Sequence, residues 1–194
     1  MGPVLLWDVM GTLVHDPFFV EMPEFFGMSF DAMLAEKHPR AWVEFEVGRR
    51  TEGEFLNDFF ADHRDFDHRG FVEAMRTAYR WLPGMEELLA DLRGNGRSMH
   101  AFSNYPVWYE LIEQRLGLSR FLEWTFVSCR TGLRKPNPAA YLCVLEELGV
   151  PVEQLVLIDD RESNCQAARQ GGIGAVRFEG VDSLRAYLSE SGVL

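Results

Sequence analysis

From Met85 to the C-terminus, segments with helical periodicity alternate with short apolar runs. No other feature of the chain constrains its fold as strongly. "MEELLADLRGNG" precedes "SMHAFSN", and "WYELIEQRLGL" precedes "WTFVSC". "PAAYLCVLEELGV" leads into "QLVLIDD", then "NCQAARQGG" into "GAVRF" and a closing helix, "DSLRAYLSESG". Strands spaced by helices of this length form a parallel sheet covered on both faces. One further apolar run, Val4 to Asp8, opens the chain far from its fellows. The 194 residues, 47% of them hydrophobic, suffice for one well-buried core and a modest insertion.

The section between the first run and the rest, about Phe18 to Leu82, is rich in aromatic and acidic residues at helical spacing. Ser29 caps "FDAMLAEKH", which must stop before Pro39, and "AWVEFEVG" ends on Gly48. Thr51 and Glu54 fit a capping box leading into "FLNDFFADH". "GFVEAMRTAYRWL" is helical in period, and Pro83-Gly84 closes the section. The expected fold is α/β: a Rossmann-like three-layer parallel sheet formed by residues 1–17 and 83–194, with residues 18–82 inserted as a helical cap. In such sheets ligands bind beyond the carboxyl ends of the strands.

Four of those ends carry polar side chains. The first strand ends on Asp8, and "MHAFSN" on Ser103 and Asn104. The turn after "FVSC" leads to Lys135-Pro136, and "LVLIDD" ends on Asp159 and Asp160. Together they suit phosphoryl transfer. A carboxylate can attack phosphorus to give an acyl-phosphate, dividing one displacement into two. A hydroxyl and an ammonium can stabilise the charge on the transferred group. Carboxylate meeting phosphate calls for a hard dication; Mg²⁺ takes a carboxylate or two with water and phosphate oxygen, which fits Asp8 and Asp160. Alone, "SN", "KP" or an Asp before Gly-Thr is commonplace turn chemistry; the order of all four carries the signal.

The formal charge of −11 disfavours nucleic acid and anionic membranes as partners. A phosphorylated ligand would therefore need a locally positive site. Cys129, Cys143 and Cys165 are odd in number and widely spaced, as expected of reduced thiols. No run reaches the ~20 apolar residues of a membrane span, and no signal-peptide layout opens the chain. A cytoplasmic protein acting on a small-molecule phosphate ester is expected.

"WDVMGTL", "FSN", "GLRKPNP" and "LIDDRESN" resemble, in order, the four motifs of the haloacid dehalogenase-like (HAD) hydrolases, in the subclass with a helical cap of C1 type. The resemblance implies Asp8 as nucleophile, Ser103 and Asn104 as binders of the transferred group, and Lys135 as charge clamp. It implies Asp160 as an Mg²⁺ ligand, Asp159 in support of the metal, and Asn164 bracing the fourth loop. Thr12 would shape the turn beside the phosphate. Further stretches, "VLLWDVMGTLVHDPFF", "FFGMSF", "KHPRAWVEFEVG", "RDFD", "HAFSNYPVWY" and "WTFVSC", resemble the plant chloroplast FMN hydrolases of that superfamily. That resemblance implies hydrolysis of FMN to riboflavin. Its plastid address is not carried over, since no transit-like segment precedes Val4.

Position 10 departs from the family pattern. Where its phosphatases usually place an Asp that protonates the leaving alkoxide, this chain has Met10, whose main-chain carbonyl can still serve a metal. General acid catalysis is worth ~10²–10⁴-fold. Either the enzyme is slow, or His15, Asp16 or His100 substitutes, or the protein binds a flavin or phosphoester without turnover. Dehalogenation needs no acid there, but the Asp159-Asp160 pair speaks against it. Among the aromatics, Trp42, Tyr105 and Trp108 are the expected substrate contacts, the others packing the cap. "DHRDFDH" and Arg49-Arg50 read as a charged loop and a solvated helix end.

Overall fold

The first strand, β1 (Val4–Trp7), lies at the centre of a five-stranded parallel sheet. The computed structural model describes residues 2–194. After β1 the chain forms five helices: α1 (Glu21–Phe25), α2 (Phe30–Glu36), α3 (Ala41–Glu46), α4 (Glu52–Asn57) and α5 (His68–Ala78). Regular alternation follows: α6 (Met85–Gly94), β2 (Met99–Ser103), α7 (Tyr109–Leu116), β3 (Glu123–Val127) and the single turn α8 (Ser128–Thr131). Then come α9 (Pro138–Leu148), β4 (Leu155–Asp159), α10 (Glu162–Gln170), β5 (Gly174–Arg177) and α11 (Val181–Glu190).

The strand order is β3-β2-β1-β4-β5, with Trp7 opposite Ala101 on one side and Ile158 on the other. The chain builds outward from β1 first in one direction and then in the other. The switch point therefore lies between β1 and β4, where such sheets bind ligands. Covered on both faces, β1 and β4 are nearly continuous apolar runs, and every residue of β2 is buried. Alternation along β1 sends Leu5 and Trp7 to one face, with Leu88, Leu89, Ile112 and Leu184 of α6, α7 and α11. Leu6 points to the other, with Tyr141, Val144 and Ala168 of α9 and α10.

The apolar residues of helices α1–α5 are continuous with the core of the first face. The two chain passages into and out of this insert run side by side. The His15 N–H donates to the Arg80 carbonyl (2.9 Å), and the Leu82 N–H to that of Leu13 (2.8 Å). This pairing explains why the last predicted helix of the insert ends at Ala78 instead of Leu82: residues 80–82 are extended to meet residues 13–15. The helix predicted through "FFADH" also stops early, at Asn57. Phe59 and Phe60 are adjacent and both buried, and the stretch they occupy pairs with Lys37 and His38. The Ser29 cap and the Thr51–Glu54 capping box are both formed. Strand β3 ends at Val127 rather than continuing through "SC", because Ser128 turns into α8.

Candidate active site

Asp8 follows β1 directly, its N–H bonded to the Ile158 carbonyl of β4 (2.9 Å). A tight turn follows, in which the Val9 carbonyl accepts from Leu13 and Val14. Gly11 has φ of +78°, and a Cβ there would lie 2.8 Å from Asp160 Oδ2. Only glycine permits both the turn and the approach of that carboxylate. Lys135 enters from the loop between α8 and α9, its side chain fully buried. Its Nζ donates to Asp8 Oδ1 (2.9 Å) and to Asp159 Oδ2 (2.5 Å). Asn104, just past β2, fixes this loop. Its Oδ1 accepts the Lys135 N–H and its Nδ2 donates to the Lys135 carbonyl, both at 2.8 Å.

Asp159 is fully saturated. Besides Lys135 it accepts from the Arg161 N–H (2.9 Å) and from Asn164 Nδ2, 3.0 Å from each oxygen. Its carboxylate thus anchors Lys135 and the start of α10 beside Asp8 and Asp160. Asn164 braces the fourth loop through Asp159. Thr12 is wholly buried, and its hydroxyl, 3.4 Å from Asp8 Oδ2, faces the carboxylate rather than the cavity. Ser103 Oγ is buried at the end of β2 with no partner, a donor without an acceptor.

One oxygen each of Asp8, Asp159 and Asp160 lies within 4.8 Å of the others, and one ammonium faces the three carboxylates. Burial lifts the Asp8 carboxyl from 3.8 to about 7, with Asp159 and Asp160 adding to the rise and Lys135 opposing it. Burial works against the Lys135 ammonium, but Asp8 and Asp159 outweigh it and hold it above its ordinary value. The surplus negative charge suits a hard cation. So does the donor set: Asp160 Oδ1 is buried without a partner, and the Met10 carbonyl takes no hydrogen bond from the chain. These residues fit Mg²⁺.

The same charge surplus gives a stability expectation. The folded chain keeps a proton on Asp8 that the unfolded chain releases, so this contribution is fully present below pH 3.8 and lost as pH rises through about 7. The unfolding temperature of metal-free protein is therefore expected to fall across that window, by up to ~1.4 kcal/mol per pH unit in stability. Asp8→Asn flattens the slope, and Mg²⁺ restores the unfolding temperature at its upper end. A slope unchanged in the variant would refute this assignment.

Above Asp8 lies a cavity of about 190 Å³. It is lined by Asp8, Met10, Asp16, Phe18, Trp42, Glu46, Asn104, Tyr105, Arg134, Arg161 and Asn164. Trp42 and Tyr105 are thus where a substrate contact requires them, and the Tyr105 hydroxyl is bonded to that of Tyr79 (2.9 Å). Trp108 is not. It is 1% exposed among Phe45, Phe55 and Phe71, with its indole N–H donated to Glu52.

Of the substitute acids, His15 is held by Glu21 (2.8 Å), and His100 lies at the opposite end of β2 from Ser103, bonded to Thr125 (2.8 Å). Burial also depresses the His100 pKa. Asp16 alone faces the cavity. Its Oδ1 accepts the Phe18 N–H (3.0 Å), and burial raises its pKa, against the pull of that bond and of Arg161.

Glu46, Arg134 and Arg161 line the cavity unanticipated. The two arginines were within reach of sequence reasoning: each adjoins a motif residue, in a chain whose acidity demands a local positive site. "DHRDFDH" forms no metal cluster. Asp67 caps α5, and His63 pairs with Asp58 (2.9 Å). Arg50 is held by Glu44 and Asp58. The three cysteines are unpaired. Among the described residues no helix is long and apolar enough to cross a membrane.

A family model described as haloacid dehalogenase-like hydrolase matches residues 3–172. Flavin mononucleotide hydrolase 1 of Arabidopsis thaliana, which carries a chloroplast designation, is 48% identical over 191 residues, covering 98% of this chain and 78% of that protein. A phosphoglycolate phosphatase of Pseudomonas syringae pv. tomato is 29% identical over 89% of this chain and 68% of its own length. Among solved structures, a HAD family enzyme of Bacteroides thetaiotaomicron in complex with magnesium and inorganic phosphate aligns with a TM-score of 0.70. Its identity is 19%, and the alignment covers 91% of this chain and 94% of that one. At that identity the likeness speaks for the fold.

Proposed function

Since this chain belongs to the haloacid dehalogenase-like hydrolases, we propose that it is a magnesium-dependent phosphomonoesterase that works through an aspartyl-phosphate on Asp8, with FMN as substrate. The observation that carries this reading is Asp8 itself, a buried carboxylate at the switch point of the sheet. Lys135 binds one of its oxygens, and Asp160 stands beside it with an oxygen unclaimed.

Asp8 attacks phosphorus, the ester oxygen departs, and the phosphoryl group passes to the carboxylate. Lys135 Nζ and Ser103 Oγ supply donors for the phosphoryl oxygens, and the buried setting strengthens both. Asn104 and Asp159 hold Lys135 in place for this task. Asp160, Asp8 and the Met10 carbonyl would hold Mg²⁺, which when bound neutralises the charge of phosphate meeting carboxylate.

In place of an acid at position 10, Asp16 gives its proton to the leaving alkoxide. It then takes one from the water that hydrolyses the acyl-phosphate. Its raised pKa keeps it protonated further toward neutrality than an ordinary Asp.

FMN as substrate is supported by the identity to the Arabidopsis enzyme. The cavity bears on how FMN would enter. At about 190 Å³ it has room for a phosphate and an alcohol chain, whereas sites that enclose whole ligands run to ~300–1,000 Å³. A tricyclic ring therefore enters only if residues 18–82 act as a cap, moving on the paired passages at residues 13–15 and 80–82. Phosphate release from FMN should require Mg²⁺, stop on chelation and return when Mg²⁺ is restored. Turnover that survives chelation would overturn the reading.

A further inference from the structure

Glu46, the last residue of α3, is 5% exposed and lines the cavity. Its Oε2 has no hydrogen-bond partner. Arg134 Nε lies 2.8 Å away as an ion pair short of good hydrogen-bond geometry, and Arg134 and Trp42 are the groups that face the carboxylate. A buried carboxylate held by a single ion pair keeps acceptor lone pairs free for a further donor from the cavity.

The surroundings hold Glu46 in place. Ser128 Oγ donates to the Glu46 carbonyl (2.5 Å) and accepts the Tyr105 N–H (2.9 Å), so one hydroxyl ties α3 and the residue after Asn104 to α8. Gly48 lies so close to the Cys129 carbonyl that a Cβ would sit 2.3 Å from its oxygen. With the insert packed on the core as it is here, the acceptor is therefore held against α8 and lines the cavity together with Trp42 and Asp8.

We infer that Glu46 is a specificity-determining residue that accepts a hydrogen bond from a hydroxyl on the alcohol chain of the substrate, selecting hydroxyl-bearing phosphate esters over those without. This rests on the phosphomonoesterase reading above. The selectivity follows from asymmetry: an ester lacking the hydroxyl displaces water from Glu46 and returns no donor to its free lone pairs, whereas a hydroxylated one does. Within a cavity of this size, the part of a phosphate ester that reaches Glu46 is the chain next to the phosphate.

The test compares kcat/KM for FMN and for ribose 5-phosphate with that for p-nitrophenyl phosphate, which has no hydroxyl donor, in wild type, Glu46→Gln and Glu46→Leu. The ratio of hydroxylated to aryl ester is expected to fall about tenfold to a hundredfold in Glu46→Leu, mostly through KM, and less in Glu46→Gln, which keeps an acceptor oxygen. Arg134 is partly exposed and can turn to solvent, so the fold should tolerate both variants. Equal losses on all three esters, or a ratio unchanged within about twofold, would overturn the inference. Failure of wild type on every ester would instead sink the phosphomonoesterase reading. Failure on FMN alone removes FMN and leaves ribose 5-phosphate to decide for Glu46.

Discussion

Asp8→Asn is expected to lower phosphate release from FMN by at least ~10³-fold while leaving the protein folded. A carboxamide is too weak a nucleophile toward phosphorus, so the acyl-phosphate cannot form. The fold survives because the substitution relieves an excess of charge. Three carboxylates face Lys135, and its second bond, to Asp159 at 2.5 Å, is untouched. An intact unfolding transition with lost turnover thus separates the chemical role of Asp8 from a structural one. Retained turnover in a folded Asp8→Asn protein would remove Asp8 from the mechanism.

The second large effect concerns the missing acid. Asp16→Asn should cost ~10²–10⁴-fold in kcat on an alkyl phosphate, because nothing then protonates the leaving oxygen. The loss should be much smaller on p-nitrophenyl phosphate, whose leaving group needs no proton. The pH profile carries a second signature. Asp16 must be protonated in the first step, so activity falls as pH rises through its raised pKa, and that limb is absent in the variant. Met10→Asp alone should gain little, since an acid is already supplied. Placed on Asp16→Asn, it should recover most of the loss. A large gain from Met10→Asp in an otherwise wild-type chain would show instead that the natural enzyme works without an acid.

These expectations rest on residues that differ in how openly the sequence displays them. Asp8, Ser103, Lys135 and Asp160 were legible because a parallel sheet gathers its strand ends at one edge, and strands can be found from apolar runs. The partners of Asn104, Thr12 and Asp159 were not. Their motif positions suggested contact with phosphate or metal, and the hydrogen bonds show that they also bind Lys135 and Asp8. Which partner a buried polar group takes depends on loops distant in sequence, as when Asn104 reaches Lys135.

The insert shows the same limit. Its caps at Ser29 and Thr51 are local chemistry and were readable. The early ends of the helices at Asn57 and Ala78 were set by pairing with residues 37–38 and 13–15, which no local periodicity reports. Trp108 shared a motif with Tyr105, but its ring turned into the insert's core. Glu46 gave no signal at all: one acid in a helix of an acidic chain becomes notable only when it proves buried in the cavity wall.

The central claim is covalent, and acid-quenching the enzyme during turnover of FMN tests it most directly. Peptide mass spectrometry of the quenched protein should find a phosphoryl group on Asp8 in wild type, lost when the sample is treated with hydroxylamine and absent from Asp8→Asn. Phosphate released at full rate with no phosphoryl group on the chain, or with one on another residue, would contradict the account.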